Sequence, residues 1–369
     1  MTTGLTTWWS PGHRAHRPGS EVNDGRIIPH VEVPDRADAV LAAARAADLG
    51  PVREVTVDEG EVRRAAATVH DPELVAFLAG AWAEWVDLGR DWEARPTMWL
   101  VPGLGVGGPT ATPTHRNVEG RLAQWCFDAG TPIGPGTWTA AVASAACALA
   151  AADDVAASAA STAGAGSAAR AFALCRPPGH HATPGAYGGY CYLNNAALAA
   201  QRLVERGAER VAVLDVDYHH GNGTQAVFWD RGDVLTVSVH ADPNDEYPYF
   251  SGHADETGAG AGEGANRNLP LPLGTGWNRW SAALDAGLAA IAAHGTEALV
   301  VALGVDTYAG DPLGQFRLAT ADYPRLGARI AALGRPTVVV LEGGYAVDAL
   351  GANVVGALQG LAGQPLSVP

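Results

Sequence analysis

The chain has 369 residues, 47% of them hydrophobic, and its 39 acids outnumber 24 basic residues, all arginine, for a formal charge of −15. A large core is therefore within reach, and the charge repels nucleic acid while favouring cationic small molecules. Four scattered cysteines without a CxxC, no run read as long enough to span a bilayer, and an N-terminus without the apolar core of a secretory signal predict a cytoplasmic protein with reduced thiols.

In chain order, helical periodicity predicts helices around 37–49, 72–88 and 138–152. VPGLGVGGPTATPTHRN (101–117) is a Gly, Pro and Thr-rich loop, and ASAASTAGAGSAAR (157–170) is a low-complexity connector. From Arg170 onward, short β-type runs alternate with Ala-rich helical segments. AFALC (171–175) is followed by the helix NNAALAAQRLVERG, stopped by Gly207, and then by VAVLDV (211–216) and VLTVSV (234–239). The glycine-rich HADETGAGAGEGANRN (253–268) leads to a short strand and the helix WSAALDAGLAAIAAHG. ALVVALGV (298–305), another helix and TVVVLEGG (337–344) complete the pattern. Apolar strands separated by helices predict a parallel sheet covered on both faces.

Two loops imitate a nucleotide site. GLGVGG fits GxGxxG at Gly103, Gly105 and Gly108, but Pro109 and the Thr/Pro run after it forbid the helix that would hold a pyrophosphate. GAGAGEG is followed by Pro270 and opens no helix either.

The chemistry gathers at strand ends, where open α/β sheets bind ligands. Four strands end in polar residues: CRPPGHHA with His180 and His181, DVDYHHG with Asp215, Asp217 and His219, GVDTYAGDP with Asp306, and EGGY with Tyr345. If these strands are neighbours, their tips share one crevice. Asp217 and His219 point to one side of an extended segment, and Asp306 can close a three-ligand site from the adjoining strand. Two carboxylates and one imidazole with open positions suit a catalytic divalent metal, zinc or Fe(II). The adjacent histidine pair supplies proton transfer near neutral pH, and a tyrosine on a Gly-Gly turn can polarise a carbonyl oxygen. These parts make a metal-dependent amide hydrolase. His240 and His253 have no matching partner and read as structural.

RPPGHHA, GGYCYLNNAALAAQ, LDVDYHHGNGTQ, SVHADP, LGVDTYAGDPLG and LEGGY, in this order and spacing, resemble the histone deacetylase and acetylpolyamine amidohydrolase superfamily. PGHRAHRPGSE and VHDPELVAFL extend the resemblance to the N-terminal part. IGPGTW, SGHADETGAGAGEG and GVDTYAGDP are similar in style to bacterial acetylpolyamine amidohydrolases. The resemblance implies a single arginase–deacetylase α/β domain over 1–369, three-layered around a mainly parallel eight-stranded sheet, with a loop insertion at 101–117. It implies zinc on Asp217, His219 and Asp306, His181 as general base and acid, His180 as its electrostatic partner, and Tyr345 as oxyanion donor. Asp215 would pair with His180 and Asn222 would orient His181. Asp215, Asp217, His219, Ser238 and Val239 match a structural potassium site. Gly189, Tyr190 and Tyr247 fall where the walls of an acyl-amine tunnel stand. Glu119 matches an acid that meets the distal ammonium of a polyamine and Glu21 a gatekeeper acid, although His115 and Arg116 just before Glu119 oppose a cation there.

The sequence therefore predicts a zinc-dependent deacetylase of small N-acetylated amines, with acetylpolyamines the leading substrate and a homodimer the expected assembly. The alternatives are a deacetylase of acetyl-lysine side chains or of an acylated biosynthetic intermediate, and a catalytically silent acyl-amine binding protein. Neither nucleic acid nor membrane is expected as a partner.

Overall fold

The apolar runs of the C-terminal half become strands buried on both faces. The computed structural model describes residues 4–23, 25–99, 115–161 and 168–364. Its strands are β1 (Thr6–Trp9), β2 (Ser20–Asn23), β3 (Arg26–Pro29), β4 (Val52–Glu54), β5 (Arg170–Ala173), β6 (Val211–Asp215), β7 (Val234–Ala241), β8 (Asn266–Leu271), β9 (Ala298–Leu303) and β10 (Thr337–Leu341). Its helices are α1 (Pro34–Ala47), α2 (Glu59–Ala66), α3 (Pro72–Asp87), α4 (Val118–Trp125), α5 (Thr137–Ser161), α6 (Asn195–Glu205), α7 (Asn222–Phe228), α8 (Trp277–His294), α9 (Tyr323–Ala331) and α10 (Val347–Ala362).

Eight strands form one sheet in the order β4-β1-β5-β10-β9-β6-β7-β8, every neighbouring pair parallel, while β2 and β3 make a separate antiparallel hairpin. Successive strand residues alternate between two cores. Ala171, Val211, Val213, Val300 and Val338 face the core shared with α3, α5 and α6, whereas Phe172, Ala212, Leu214, Val301 and Val339 face the one shared with α1, α8, α9 and α10. This is the expected three-layer architecture.

The N-terminal half departs from the sequence reading. Strands β1 and β4 were not expected: TTWW and VRE are too short and too polar to give a period-2 signal. Helix α5 continues to Ser161 rather than stopping near 152, because alanine, the strongest helix former, persists through that stretch. Residues 162–167 of the expected connector lie outside the described residues, as do residues 101–114 of the expected insertion. By length and composition, Thr137–Ala160 could cross a membrane, contrary to the sequence reading, but 72% of its most apolar stretch is buried inside the protein. It is a core helix packed on the sheet and on α6.

The sheet order positions the site. β5, β10, β9, β6 and β7 are consecutive, so their C-terminal loops line one crevice. Chain order reverses there: β6 to β8 run toward one edge, while β9 and β10 return toward β5. That reversal is where α/β sheets open a ligand crevice.

Candidate active site

At the floor of the crevice, Asp217 and His219 from the loop after β6 meet Asp306 from the loop after β9. One donor atom from each lies within 4.8 Å of the others, and all three are buried. His219 Nδ1 is 3.3 Å from Asp217 Oδ1 and 3.1 Å from Asp306 Oδ2. Backbone amides aim the carboxylates: Tyr218 N–H donates to Asp306 Oδ1 at 2.9 Å, and Gly343 N–H to Asp217 Oδ2 at 2.8 Å. Glycine makes this approach possible. A Cβ at Gly304 would stand 1.9 Å from Asp217 Oδ2, and one at Gly343 2.5 Å from both carboxylates.

The donor set fits a divalent metal. Burial and Asp217 push the Asp306 carboxyl up to about 7, and His219, despite burial, is held up at about 10 by the two acids beside it. Two buried carboxylates this close favour a bound cation, which would relieve the repulsion that a shared proton or a charged His219 otherwise offsets. A second group, His180, Cys191 and Glu342, is also compact. Most of its polar atoms are engaged, since Glu342 Oε2 accepts the Gly179 and His180 amides, His180 Nδ1 meets Asp215, and Cys191 Sγ donates to Gly189 O; Glu342 Oε1 is left without a hydrogen-bond partner. Of the two, the first group, with two carboxylates and an imidazole, is the better donor set for a divalent metal.

The histidine pair follows β5. His180 Nδ1 lies 2.9 Å from Asp215 Oδ2, and His181 Nδ1 lies 2.6 Å from Asn222 Oδ1. The partners differ in charge, and so do the rings. Burial opposes a charged His180, yet Asp217 and Asp215 hold its pKa up at about 10. Burial and the charges of His180 and His219 drive His181 well below its usual value, and Asn222 offers no counter-charge. His181 is thus neutral. Its Nδ1–H donates to Asn222, leaving Nε2 as a base facing the cavity.

Tyr345, after β10, completes the constellation. Asp311 Oδ2 accepts the Tyr345 N–H at 2.6 Å and the Ala346 N–H at 3.0 Å. The Arg36 guanidinium sits 4.6 Å over the phenol ring. Burial, partly offset by Arg36, pushes the phenol well above its usual range, so the hydroxyl stays a donor.

A profile described as the histone deacetylase domain matches residues 30–361. The chain belongs to the histone deacetylase family. It is 49% identical over 355 residues to acetylpolyamine amidohydrolase 1 of Pseudomonas aeruginosa, covering 96% of this chain and 98% of that protein. It is 43% identical to the acetylpolyamine amidohydrolase of Mycoplana ramosa, over 96% and 99% of the two chains. The crystal structure of the acetylpolyamine aminohydrolase from Burkholderia pseudomallei superposes with a TM-score of 0.86 at 42% identity, covering 96% of this chain and 98% of that one.

In this family member the cavity above the site measures about 670 Å³ and is lined by His181, His219, Tyr345, Gly189, Tyr190, Tyr247 and Glu21, among others. Gly189 has φ +57, and a Cβ there would lie 2.3 Å from His181 Cδ2. Tyr190 shares the left-handed conformation, φ 64, unusual for a bulky residue, and its amide is tied to Thr131 Oγ1 at 2.8 Å. The Tyr247 ring stands edge-on to His181 and His219, with centroids at 5.1 and 5.9 Å. Glu21 is 1% exposed, and its carboxylate lies beside the Tyr190 hydroxyl, the Val31 backbone and, at 3.8 Å, His30 Nδ1.

Glu119 stands apart from the other expected residues. Within this chain it lies outside the cavity lining, exposed at the start of α4, and pairs with Arg90 at 2.6 Å. Ser238 and Val239 lie in β7, with Ser238 in register with Asp215. His240 Nε2 donates to Gly252 O at 2.9 Å, so its Nδ1 accepts the Ser238 hydroxyl at 2.7 Å and leaves that oxygen's lone pairs open to a cation.

Three groups escaped the sequence reading. Asp128 lines the cavity and clamps its wall, accepting the Gly189 amide and, at 3.0 Å, the Tyr247 hydroxyl. Beneath Tyr345, Arg36 donates to Gly344 O and Glu342 O, both at 2.6 Å, and to Glu32 Oε1 at 2.9 Å. Glu246 receives the Tyr218 hydroxyl at 2.8 Å, Gln315 Nε2 at 3.3 Å and the Tyr247 amide at 3.0 Å. Only the Glu32–Arg36 pair had a visible signal, its i,i+4 spacing.

Proposed function

We propose that the protein is a metal-dependent amidohydrolase that removes acetyl groups from acetylpolyamines, with zinc as its metal. The observation that carries this is the cavity itself. The donor cluster, His181 and Tyr345 stand at its base, while Glu21, Asp128, Asp245 and Glu246 line it with no arginine among the lining residues. Such a space suits an acetamide at the floor and positive charge farther out. The full sequence match to acetylpolyamine amidohydrolases favours this reading over lysine deacetylation or silent binding.

Asp217, His219 and Asp306 would hold a divalent metal, which when bound would supply Lewis acidity for the water and the amide carbonyl. His181 Nε2 takes the proton from the attacking water and returns it to the leaving amine nitrogen, with Asn222 fixing its tautomer. His180, paired with Asp215, keeps positive charge beside His181 and lowers its basicity in the resting site. The Tyr345 hydroxyl donates to the carbonyl oxygen as negative charge develops there. Tyr190, Tyr247 and Gly189 hold the acyl-amine stem. Glu21 lines the same wall beside Tyr190 and would meet an ammonium group.

The carboxylate of Asp215, the Ser238 hydroxyl and backbone oxygens of Asp217, His219 and Val239 would hold potassium as a structural ion. We place the protein in the cytoplasm, in keeping with four buried free cysteines. We read residues 1–369 as one domain with a loop insertion at 101–117, most of which lies outside the described residues. Tyr249 and Phe250, 62% and 63% exposed beside the mouth, favour a homodimer packed on that side. Light scattering giving twice the chain mass is the expected result, and a single-chain mass would refute it.

Acetate release from acetylated diamines, acetylpolyamines and acetyl-lysine peptides tests the substrate. Acetylpolyamines should give the highest kcat/KM, and shortening 101–117 should narrow their lead over peptides. Equal cleavage of peptides, with no effect of the loop, would favour the lysine-deacetylase alternative.

A further inference from the structure

Helix α7 carries Asn222, which orients His181, and one turn later Gln225, 8% exposed and without a role so far. Gln225 Oε1 accepts from His220 Nε2 at 3.1 Å and from Asn266 Nδ2 and Asn268 Nδ2, both at 2.8 Å. Its Nε2 donates to Glu256 Oε2 at 2.7 Å. That carboxylate oxygen also accepts the Gly252 amide at 2.9 Å and Asn268 Nδ2 at 3.1 Å. His220, adjacent to the ligand His219, reaches Ser251 Oγ at 2.9 Å through Nδ1, and His240 Nε2 holds Gly252 O. The Gly252 backbone comes so close that a Cβ would stand 2.8 Å from both His220 Cγ and His240 Nε2.

Residues 251–256 are thus fastened by buried polar side chains, with Gln225 at the centre. Just upstream lies Tyr247, whose ring borders both His181 and His219. Gly223, between Asn222 and Gln225, is itself packed so closely that a Cβ would lie 2.3 Å from Ala182 O, next to the histidine pair. The α7 backbone cannot shift without moving that pair. One short helix therefore packs against the histidine pair on one side and, through Gln225, holds the segment just after Tyr247 on the other.

We propose that Gln225, acting with Glu256, is a positioning residue that registers the Tyr247 wall against His181 and His219. The proposal rests on the amidohydrolase reading for its kinetic effect but not for its structural one. An oxygen accepting three donors while the same amide donates to a carboxylate is a demand only a primary amide meets: leucine supplies neither function, and glutamate would face Glu256 with a second carboxylate. A wall out of place by about 1 Å lowers the rate about 100-fold where it holds a substrate in reacting geometry.

The test uses the full-length metal-loaded enzyme and Gln225→Leu, Glu256→Ala and Glu256→Gln, with acetylated butane-1,4-diamine as substrate. Glu256→Ala removes the outer half of the same contact and takes over if Gln225→Leu does not accumulate folded. The disrupting variants should lose about 10- to 100-fold in kcat/KM at full metal content and well below their melting temperature. Glu256→Gln, whose amide oxygen can accept the same donors, should restore most of it. Amide hydrogen exchange over 247–256 should accelerate in the disrupting variants while β9 and β10 stay protected. A merely structural role would lower the melting temperature and leave folded-state kcat/KM intact. Wild-type kcat/KM together with unchanged exchange over 247–256 would overturn the proposal. Wild-type protein that releases no acetate would instead sink the amidohydrolase reading, and the exchange experiment would still decide the positioning role.

Discussion

Replacing Tyr345 by Phe isolates a single hydroxyl. The ring is held by contacts that phenylalanine keeps: the Arg36 guanidinium at 4.6 Å, the Asp311 carboxylate on two successive amides, and the Tyr190 edge with centroids 5.7 Å apart. The variant should therefore fold, bind metal and shape the cavity as before. What it loses is a donor at the place where the amide oxygen gains charge. Loss of one such donor costs about 2.7–4 kcal/mol, or roughly 100- to 1000-fold in kcat. KM should change less than about threefold, since the bond strengthens mainly at the transition state. Because burial keeps the phenol protonated far into the alkaline range, the ratio of wild-type to variant kcat should be flat across working pH. Steady-state acetate release with an acetylated diamine, alongside metal analysis, measures both. A variant with wild-type kcat and full metal would show that Tyr345 is only a wall.

Asp306→Asn keeps an acceptor for the Tyr218 amide but removes a metal-binding charge; metal affinity should fall by more than about 100-fold and turnover should vanish, as read by metal analysis after dialysis. Full occupancy with normal activity would remove the site. Glu246→Gln should raise KM for acetylpolyamines up to about fivefold, the range of a solvent-exposed ion pair, and less at high salt; equal KM values at both salt concentrations would exclude it as a cation contact. Glu32 is buried, which by itself raises its pKa, but Arg176 and Arg36 hold it down at about 2 from the usual 4.5. A depressed carboxyl stabilises the fold above its unfolded value and loses that contribution as pH falls. The stability gap between wild type and Glu32→Gln should therefore be constant near neutrality and shrink from about pH 4.5 toward 2; a gap independent of pH in thermal melts would contradict this.

The C-terminal half was legible because its strands are buried on both faces. Continuous apolar runs such as VAVLDV end abruptly where polar chemistry begins, so Asp215, Asp217, His219, Asp306 and Tyr345 announced themselves. Their meeting still depended on sheet order, with β10 and β9 between β5 and β6, which no local pattern carries. Asp128 was illegible because it sits in an irregular loop after α4, where a lone acid looks like any turn former. Gln225 was hidden in plain view within DVDYHHGNGTQ, because a buried amide matters mainly through partners that lie 31 to 43 residues away in sequence. Glu119 was placed by motif alone, and its neighbour Arg90 could be found only in three dimensions.

The central claim is that Asp217, His219 and Asp306 hold a metal that, with His181 and Tyr345, hydrolyses acetylated amines. The most direct measurement is acetate release from an acetylpolyamine by wild-type protein stripped of metal and then titrated with zinc. Activity should be absent in the stripped protein and rise linearly to an endpoint of one zinc per chain, and the Asp306→Asn variant should show no such titration. Activity that persists without metal, or a zinc endpoint unchanged in Asp306→Asn, would contradict the account.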